Sequence, residues 1–275
     1  MTHAVTRAAT WPSARARAWL DARVSHPATP ERWDVDAGLQ RRVDDALRAA
    51  LAPRRAALHA AYLDADELVV VPSLVSPEVT EAMVAELPGL RRARSLMPHV
   101  RKAGATGYQE LQRRAPTITA LYRSSVLKDW CAELAGRPMF YKSDADPHAA
   151  AVYFYTRAGD WMDYHYDGCG CEDNVSYSLI IGLEDRSQQQ FLAVVRRGTA
   201  AESHLCVTTR PGTGIVFCGS KTWHGVSRLG VGEQRTVLSL SYTTGVPMRR
   251  GAQFSENVKD ALMYFGPSAL FARHH

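Results

Sequence analysis

The chain has 275 residues, of which 46% are hydrophobic, and its formal net charge at pH 7 is +5. This length suits one domain, or one domain with an elaborated end, and the apolar fraction is sufficient for a full-sized core. The positive charge rests mainly on arginine and forms no long basic run interleaved with aromatic residues, so a nucleic-acid partner is not expected. The longest apolar stretches have the length of strands, far short of the ~18 residues that a membrane span needs.

The cysteines indicate a reducing compartment. None of the five belongs to a Cys-x-x-Cys pair, which argues against a disulfide framework and against a structural zinc site. The arginine-rich N-terminal stretch lacks the apolar region of a secretory signal, so we expect a cytoplasmic protein. Cys169 and Cys171 lie in a Gly-Cys-Gly-Cys stretch that predicts a flexible loop, and no role is assigned to them.

The first half of the chain is predicted to be mostly helical. Apolar residues recur there at three- and four-residue spacing among helix formers. Ser76 is the predicted cap of one helix, with Pro77 at its first position, where no backbone donor is needed. Gly136 and Pro138 are predicted to end the last helix. The predicted helices are 13–24, 35–63, 77–87 and, as two helices, 108–135.

The second half is predicted to form a β-sandwich or barrel with the helices packed on its outside. From Ala149 onward, short segments rich in β-branched and aromatic residues alternate with turn signals. Several strands at such short spacing imply a sandwich or a barrel. One earlier strand is predicted at 66–72. The later predicted strands are 149–155, 175–183, 189–195, 204–209, 214–219 and 235–242.

His165, Asp167 and His224 are candidate metal ligands. In an extended chain, residues i and i+2 project to one face, so His165 and Asp167 can reach the same ion. His224 is predicted to end a loop, 220–224, and a sheet that curls on itself brings it opposite the first two. Two histidines and one carboxylate leave three coordination positions open, which suits Fe(II) with a chelating cosubstrate and dioxygen. The alternative is a chance His-x-Asp in a turn together with a structural histidine.

Arg235 is a candidate cosubstrate ligand, because it begins the predicted strand that follows His224. A guanidinium there can form a bidentate pair with the distal carboxylate of a dicarboxylate cosubstrate. The alternative for this residue is a surface ion pair.

Two segments resemble motifs of the 2-oxoglutarate/iron(II) dioxygenases, particularly the prolyl-4-hydroxylase-like branch. Tyr155–Asp167 resembles the strand, turn and His-x-Asp stretch of that family, and Pro211–Ser239 resembles its distal-histidine and arginine module. The resemblance implies a mainly β fold with flanking helices, a cupin-like double-stranded β-helix or jelly roll. The expected organisation is an N-terminal helical segment at 1–65, a jelly-roll domain with embedded helices at 66–248 and a C-terminal extension at 249–275.

The resemblance also implies the reaction. Iron(II) held by His165, Asp167 and His224 would act with 2-oxoglutarate and dioxygen, and Arg235 would hold the far carboxylate of 2-oxoglutarate. The cosubstrate would be decarboxylated to succinate while the substrate is hydroxylated. Desaturation, cyclisation or halogenation on the same iron is the alternative. Halogenases of this superfamily carry a small residue where Asp167 stands, so hydroxylation is favoured over halogenation.

The second cosubstrate ligand stays open. Relatives carry a tyrosine at the position of Thr156, so either Thr156 hydrogen-bonds 2-oxoglutarate or a bulge brings Tyr155 inward. A serine two positions after Arg235, which relatives often have, is Val237 in this chain.

The expected substrate is a small polar molecule such as a free amino acid or a biosynthetic intermediate, since the motifs resemble a small branch that acts on free amino acids. A protein side chain and a non-catalytic binding module are the remaining alternatives. His148 could point into the barrel mouth, or it could be an ordinary loop histidine. Asp146 and Asp163 could bind a substrate ammonium group, and Tyr166 could wall the pocket. No oligomeric state is predicted.

Overall fold

The computed structural model describes residues 35–95, 101–167, 175–195 and 203–245, together with Phe265. All of them lie in the unit Val35–His274. The predicted helix at 13–24, both cysteines of the Gly-Cys-Gly-Cys stretch and, except for Phe265, the predicted extension at 249–275 lie outside the described residues. No helix within the described ranges is long and apolar enough to cross a membrane.

Six α-helices cover most of the first half of the described chain. They are α1 (Ala37–Leu51), α2 (Arg55–Asp64), α3 (Pro77–Glu86), α4 (Tyr108–Arg114), α5 (Pro116–Arg123) and α6 (Ser125–Ala135). The predicted helix at 77–87 is confirmed together with its cap, since the Ser76 hydroxyl accepts the Val79 amide at 3.4 Å. Helix α6 ends as predicted at Gly136, whose φ of 63° is left-handed.

The prediction of two helices between residues 108 and 135 was wrong, because the chain forms three. Pro116 takes the first position of α5, where its missing amide hydrogen costs nothing, so α4 ends just before it. Ser124 then starts a third helix, and its hydroxyl accepts the Leu127 amide at 3.3 Å. Pro116 and Ser124 are both residues that commonly start a helix, but the spacing of the apolar residues continues across these positions and does not show where one helix ends and the next begins.

The strands form two antiparallel sheets. The large sheet has the order β1-β11-β8-β13-β6-β4-β2, with β5 also paired to β13, and the small sheet has the order β10-β9-β12-β7-β3. In chain order the strands are β1 (Leu68–Val71), β2 (Ala93–Arg94), β3 (Arg101–Lys102), β4 (Gly104–Thr106), β5 (Phe140–Tyr141), β6 (Ala150–Tyr155), β7 (Trp161–His165), β8 (Ser176–Arg186), β9 (Phe191–Val195), β10 (Ser203–Val207), β11 (Gly214–Cys218), β12 (Trp223–Val226) and β13 (Gln234–Thr243).

The two sheets share one apolar interior, which confirms the predicted jelly roll. One buried cluster joins Tyr153 and Val237 of the large sheet to Val226 of the small sheet. A second cluster joins Phe217 of the large sheet to Phe191 of the small sheet. Neighbouring strands are distant in sequence, as in β13 between β8 and β6, and this is the crossover pattern of a double-stranded β-helix.

The described helices of the predicted N-terminal segment pack on the helices of the domain. The side-chain amide of Gln40 in α1 donates to the Ala120 carbonyl of α5 at 3.1 Å. The Asp44 carboxylate of α1 accepts the hydroxyl of Ser124, the cap of α6, at 2.6 Å. Arg55 of α2 pairs with Glu133 of α6 at 3.0 Å. Residues 37–64 therefore form one helical layer with α5 and α6.

Candidate metal centre and cosubstrate pocket

The two candidate histidine ligands face each other across adjacent strands of the small sheet. His165 ends β7, and its register partner is His224 of β12. The loop predicted for His224 was wrong, because Trp223–Val226 pairs with β9 on one side and β7 on the other. The sequence carries no signal that separates this strand from the preceding Ser-Lys-Thr turn. The strand is recognised only from its pairing with β7 and β9.

The register between β7 and β12 shifts beside the two histidines. Met162 is paired with Val226, whereas His165 is paired with His224, so β7 carries one extra residue between the two pairs. Such a bulge re-aims a side chain relative to strict alternation. Both Met162 and His165 consequently line the same cavity, although they are three positions apart and strict alternation would place them on opposite faces.

Asp167 completes the cluster two residues after His165. One ligand atom from each of His165, Asp167 and His224 can be chosen so that all three lie within 4.8 Å of one another. Asp167 Oδ1 is 3.4 Å from His165 Nε2 and 3.7 Å from His224 Nε2. The predicted triad is thus brought together on one side of the cavity.

Both imidazoles are oriented by backbone carbonyls. His165 Nδ1 lies 2.9 Å from the Asp163 carbonyl oxygen, and His224 Nδ1 lies 2.9 Å from the Thr222 carbonyl oxygen. A carbonyl oxygen accepts a hydrogen bond and cannot donate one, so each Nδ1 carries a hydrogen and each Nε2 faces the cluster. This is the tautomer that a metal ion requires at Nε2.

The Asp167 carboxylate is held by a hydrogen bond on the oxygen that faces away from the histidines. Its Oδ2 accepts the Ser178 hydroxyl at 2.5 Å, which leaves Oδ1 toward the histidines. The Asp167 amide donates to the Gly219 carbonyl at 2.8 Å. A β-carbon on Gly219 would lie 2.6 Å from the β-carbon of Asp167, so only glycine allows this approach. Ser178 and Gly219 both contact Asp167, and the sequence did not single out either residue.

The protonation states suit metal binding. Burial lowers the pKa of His224 to about 4, against the opposing charge of Asp167, so this ring is neutral at pH 7. Burial alone would raise the pKa of Asp167, but its interactions with the two histidines and the Ser178 hydrogen bond hold that pKa below its ordinary value. Burial would lower the pKa of His165, yet the Asp167 hydrogen bond and charge outweigh it and raise that pKa. Metal binding therefore competes with a proton at His165.

Arg235 lines the same cavity and is fully buried. Its Nε and Nη2 donate to the Thr209 hydroxyl at 2.9 and 2.6 Å, and its Nη1 lies 3.5 Å from Gln189 Oε1. Burial lowers the pKa of Arg235, against the effects of Tyr155 and Asp185, but a guanidinium stays charged in proteins. A buried cation whose described hydrogen-bond partners are neutral is suited to an incoming carboxylate.

Gln189 is itself oriented toward Arg235. Its amide nitrogen donates to the carbonyls of Asp160 and Ser227 at 2.9 and 2.7 Å, so its oxygen points to the guanidinium. Gln189 and Thr209 come from separate loops, and no local pattern connects either residue to Arg235 in the sequence.

The structure distinguishes the two candidates for a second cosubstrate contact. Tyr155 is buried, lines the cavity and is the register partner of Arg235, whose guanidinium carbon lies 5.6 Å from the tyrosine ring centre. Thr156 is exposed and does not line the cavity. The pairing of β6 with β13 is regular, so Tyr155 faces inward by ordinary alternation and not through the predicted bulge.

Of the predicted substrate contacts, His148 lines the cavity and Asp146 does not. The Nδ1 atom of His148 is 3.3 Å from the Tyr153 hydroxyl, and its ring meets Phe265 edge-on at 4.9 Å between centres. The Asp146 carboxylate accepts the His148 amide at 2.8 Å and pairs with Lys142 at 3.5 Å. Asp146 therefore shapes the turn that presents His148.

Asp163 and Tyr166 also lie outside the cavity lining. The exposed Asp163 side chain accepts the Tyr164 amide at 2.9 Å, so its contribution to the site is the carbonyl that orients His165. Tyr166 is 53% exposed and rests on Trp223 at 4.8 Å between ring centres. Alternation along the strand end turns Tyr166 away from the face that carries His165 and Asp167.

The cavity that the triad shares with Arg235 is also lined by apolar and aromatic side chains. Its volume is about 70 Å³, and Tyr155, Met162, Ile180 and Val237 lie along it. The donor set is one that iron(II) accepts, because two imidazoles and one carboxylate leave coordination positions for a chelating ligand. The neutral Nε2 of His224 and the ionised Asp167 are the forms that such an ion needs, and His165 offers a third donor atom once its proton is displaced, so the residues fit the group.

The comparisons with known proteins identify the class of fold. No protein-family model matches the chain, and no curated protein sequence matches it. The chain has the jelly-roll fold of the 2-oxoglutarate/Fe(II) oxygenases, a class of enzymes, as solved structures show. The resemblance predicted from the sequence is confirmed at this level.

Three of these structures illustrate the range of that class. The α-ketoglutarate-dependent epimerase SnoN from nogalamycin biosynthesis has 18% identity and a TM-score of 0.55, over 70% of this chain and 83% of that one. The carbocyclase SnoK from the same biosynthesis has 13% identity and a TM-score of 0.55, over 73% and 89%. A prolyl-4-hydroxylase from Pseudomonas putida has 14% identity and a TM-score of 0.52, over 70% and 99%. SnoN has also been solved with Fe3+, α-ketoglutarate and nogalamycin RO.

Proposed function

We propose that this protein is a 2-oxoglutarate-dependent non-haem iron(II) oxygenase that hydroxylates an unactivated C–H bond of a small polar substrate, either a free amino acid or a natural-product intermediate. The observation that carries the proposal is that the His165, Asp167 and His224 cluster and the buried Arg235 line one and the same cavity. A site that only binds a metal ion does not require a buried guanidinium in the same cavity. An arginine with a purely structural role does not require a cluster of metal ligands beside it.

Each part of the cavity has a distinct task in this proposal. The triad would hold iron(II), and Arg235 would pair with the distal carboxylate of 2-oxoglutarate, with Thr209 and Gln189 keeping the guanidinium in place. Bound iron supplies the oxidising chemistry, in which dioxygen oxidises the substrate C–H bond and decarboxylates 2-oxoglutarate to succinate and carbon dioxide. The apolar side chains of the lining would limit the access of water to the reacting groups.

Hydroxylation is proposed over halogenation because Asp167 occupies the third ligand position and is fixed there by Ser178. Desaturation, cyclisation or epimerisation on the same iron is the second candidate outcome, since SnoN is an epimerase and SnoK a carbocyclase. Product mass separates these outcomes. Hydroxylation adds one oxygen atom, desaturation or cyclisation removes two hydrogens, and epimerisation leaves the mass unchanged.

The test is succinate formation by anaerobically purified protein supplied with Fe(II), 2-oxoglutarate and oxygen, across a panel of free amino acids. We expect succinate that is stimulated by one or a few members of the panel and is abolished in His165→Ala and His224→Ala. His204→Ala is the matched control, because His204 is exposed on β10 and away from the cluster. Normal turnover in either triad variant, or the lack of bound iron in the parent protein, would overturn the proposal.

Two further results would redirect it. Slow succinate formation that no amino acid stimulates would keep the oxygenase and discard the amino-acid substrate. Turnover of a peptide alone would favour a protein side chain, as in the prolyl hydroxylase from Trichoplax adhaerens that was solved with a peptide fragment. We also propose that the protein acts in the cytoplasm and that its partner is a small-molecule substrate.

A further inference from the structure

Residues 219–222 connect β11 to β12 and contact two of the three candidate metal ligands. The Gly219 carbonyl accepts the Asp167 amide at 2.8 Å, and the Thr222 carbonyl oxygen lies 2.9 Å from His224 Nδ1. We call this segment the support turn. A shift of the support turn would move both the carbonyl that orients His224 and the backbone to which Asp167 is bonded. The metal centre therefore depends on what holds this turn in place.

Glu67, the residue before β1, holds the support turn through Lys221. Its Oε1 pairs with Lys221 Nζ. Its Oε2 accepts the Tyr177 hydroxyl at 3.2 Å, and its carbonyl accepts the Cys218 amide at 3.1 Å. Tyr177 and Cys218 are register partners at the ends of β8 and β11, directly before the turn. Glu67 thus binds the support turn itself and the two paired residues at its base.

The backbone of Glu67 has a left-handed conformation, with a φ of 65°. This region favours glycine, and a residue with a β-carbon is strained there. Strain of this kind persists where the surrounding contacts require it, and it points to a function of the residue. A glycine would suit the backbone at this position better but could not pair with Lys221. The carboxylate is therefore the feature of position 67 that needs an explanation.

An ordinary surface ion pair is the alternative explanation, and the exposures of the side chains argue against it. Exposed pairs contribute little to stability, as expected for Arg55 and Glu133, whose side chains are 49% and 52% exposed. The Glu67 side chain is only 22% exposed, against 49% for Lys221. Glu67 also accepts the hydrogen bond from Tyr177, and such a bond to a charged group is stronger than a neutral one. Glu67 is thus fixed more firmly than a solvated surface carboxylate.

We propose that Glu67 is a positioning residue of the metal centre, which fixes the support turn through Lys221 and thereby the carbonyl that orients His224. This inference rests on the proposed oxygenase function. The Glu67 amide donates to the Tyr62 carbonyl of α2 at 3.0 Å. One continuous set of contacts thus connects the helical layer to the metal ligands, and the affinity for Fe(II) depends on an ion pair outside the ligand set.

Anaerobic Fe(II) titration of Glu67→Gln, Lys221→Met and the double variant tests the role of the pair. Glu67→Gln keeps the shape of the side chain and an acceptor for Tyr177 but loses the charge. Each single variant should bind Fe(II) ~3- to 10-fold more weakly, less than the roughly 10- to 100-fold loss for a direct partner of a ligand, because Glu67 acts through the turn. The double variant should lose no more than the single variants, since all three break the same pair.

Three comparisons separate positioning from a general loss of stability. The exchanged pair, Glu67→Lys with Lys221→Glu, should recover part of the Fe(II) affinity. Glu133→Gln, the control, breaks the exposed pair with Arg55 and should bind Fe(II) as the parent does. Co(II) in place of Fe(II) should give visible bands that differ between the parent and Glu67→Gln, because these bands report the geometry of the ligands. A purely structural Glu67 would change the midpoint of urea denaturation and leave the metal affinity and these bands unchanged.

The outcomes also separate this inference from the proposed function. Parent-like Fe(II) affinity in both folded single variants, or losses that add in the double variant, would overturn the positioning role and leave the oxygenase intact. Metal binding without succinate formation in the parent would overturn the oxygenase, and the same affinities would then decide the role of Glu67. A parent that binds neither Fe(II) nor Co(II) would overturn both. If Glu67→Gln fails to fold, as judged by circular dichroism, Lys221→Met decides the question, because the Lys221 side chain is half exposed.

Discussion

Replacing Gly219 by alanine should weaken metal binding without unfolding the protein. The added β-carbon would lie 2.6 Å from Asp167 Cβ, 2.9 Å from Asp167 Oδ2 and 3.0 Å from Ser178 Oγ. To reach an ordinary contact of 3.4 Å from 2.6 Å, the Asp167 side chain or the Gly219 backbone must move by about 0.8 Å. Metal–ligand distances tolerate only ~0.2 Å, so Asp167 Oδ1 would leave its place beside the histidines.

The expected loss is ~10- to 100-fold in Fe(II) affinity, the range seen when the support of a metal ligand is disturbed, which corresponds to about 1.4–2.7 kcal/mol. The assay is anaerobic Fe(II) titration followed by dialysis and iron analysis, together with circular dichroism. Gly89→Ala is the matched control, because a β-carbon at Gly89 would meet nothing within 4 Å. Parent-like iron affinity in a folded Gly219→Ala protein would refute the role given to Asp167 and its support.

Three further replacements test other parts of the site and the fold. Ser178→Ala removes the 2.5 Å hydrogen bond to Asp167 Oδ2 and should weaken Fe(II) binding ~10-fold in the same titration, with Ser203→Ala on the exposed part of β10 as the control. Thr209→Val leaves two donors of the buried Arg235 unpaired and should raise the dissociation constant of 2-oxoglutarate ~10-fold in isothermal titration calorimetry, whereas Thr209→Ser should bind as the parent does. Asp160→Asn weakens the ion pair with Arg94 and the hydrogen bonds that the carboxylate accepts from the Thr156 and Arg157 amides. The free energy of unfolding measured by urea denaturation should therefore fall by about 2 kcal/mol. Asp45→Asn, in an exposed ion pair, is the control and should lower it by ~0.5 kcal/mol or less.

Local patterns were sufficient for much of the fold. The predicted helix at 77–87 carries its own start signal in Ser76 and Pro77, and the predicted strands at 149–155 and 235–242 carry β-branched and aromatic residues, so each could be predicted from its own residues. The strands β2, β3 and β5 have two residues each and exist only through pairing with a neighbour. No propensity distinguishes such pairs of residues from a loop.

The candidate site was predictable only where its residues follow a spacing rule. The cluster of His165, Asp167 and His224 was found from the His-x-Asp motif and a later histidine, and Arg235 from its place at a strand start. Ser178 and Thr209 could not be found, because each reaches its partner only after the sheets have closed. A serine and a threonine in a strand-rich region are too common to signal a site by themselves.

The bulge in β7 explains how the fold and the metal cluster depend on each other. Strict alternation from Met162 would turn Tyr164 inward and His165 outward, which would remove a ligand from the cluster. The extra residue reverses this, and its backbone packs on Gly225 of β12, where a β-carbon would lie 3.0 Å from the Met162 carbonyl oxygen and 3.2 Å from the Tyr164 nitrogen. The same bulge directs the Asp163 carbonyl to His165 Nδ1. Gly225, directly after His224, therefore gives the bulged backbone of β7 room to approach β12 and to turn His165 toward the cluster. The Trp-His-Gly-Val sequence of β12 thus provides one ligand, His224, together with the space that the strand of the other histidine needs.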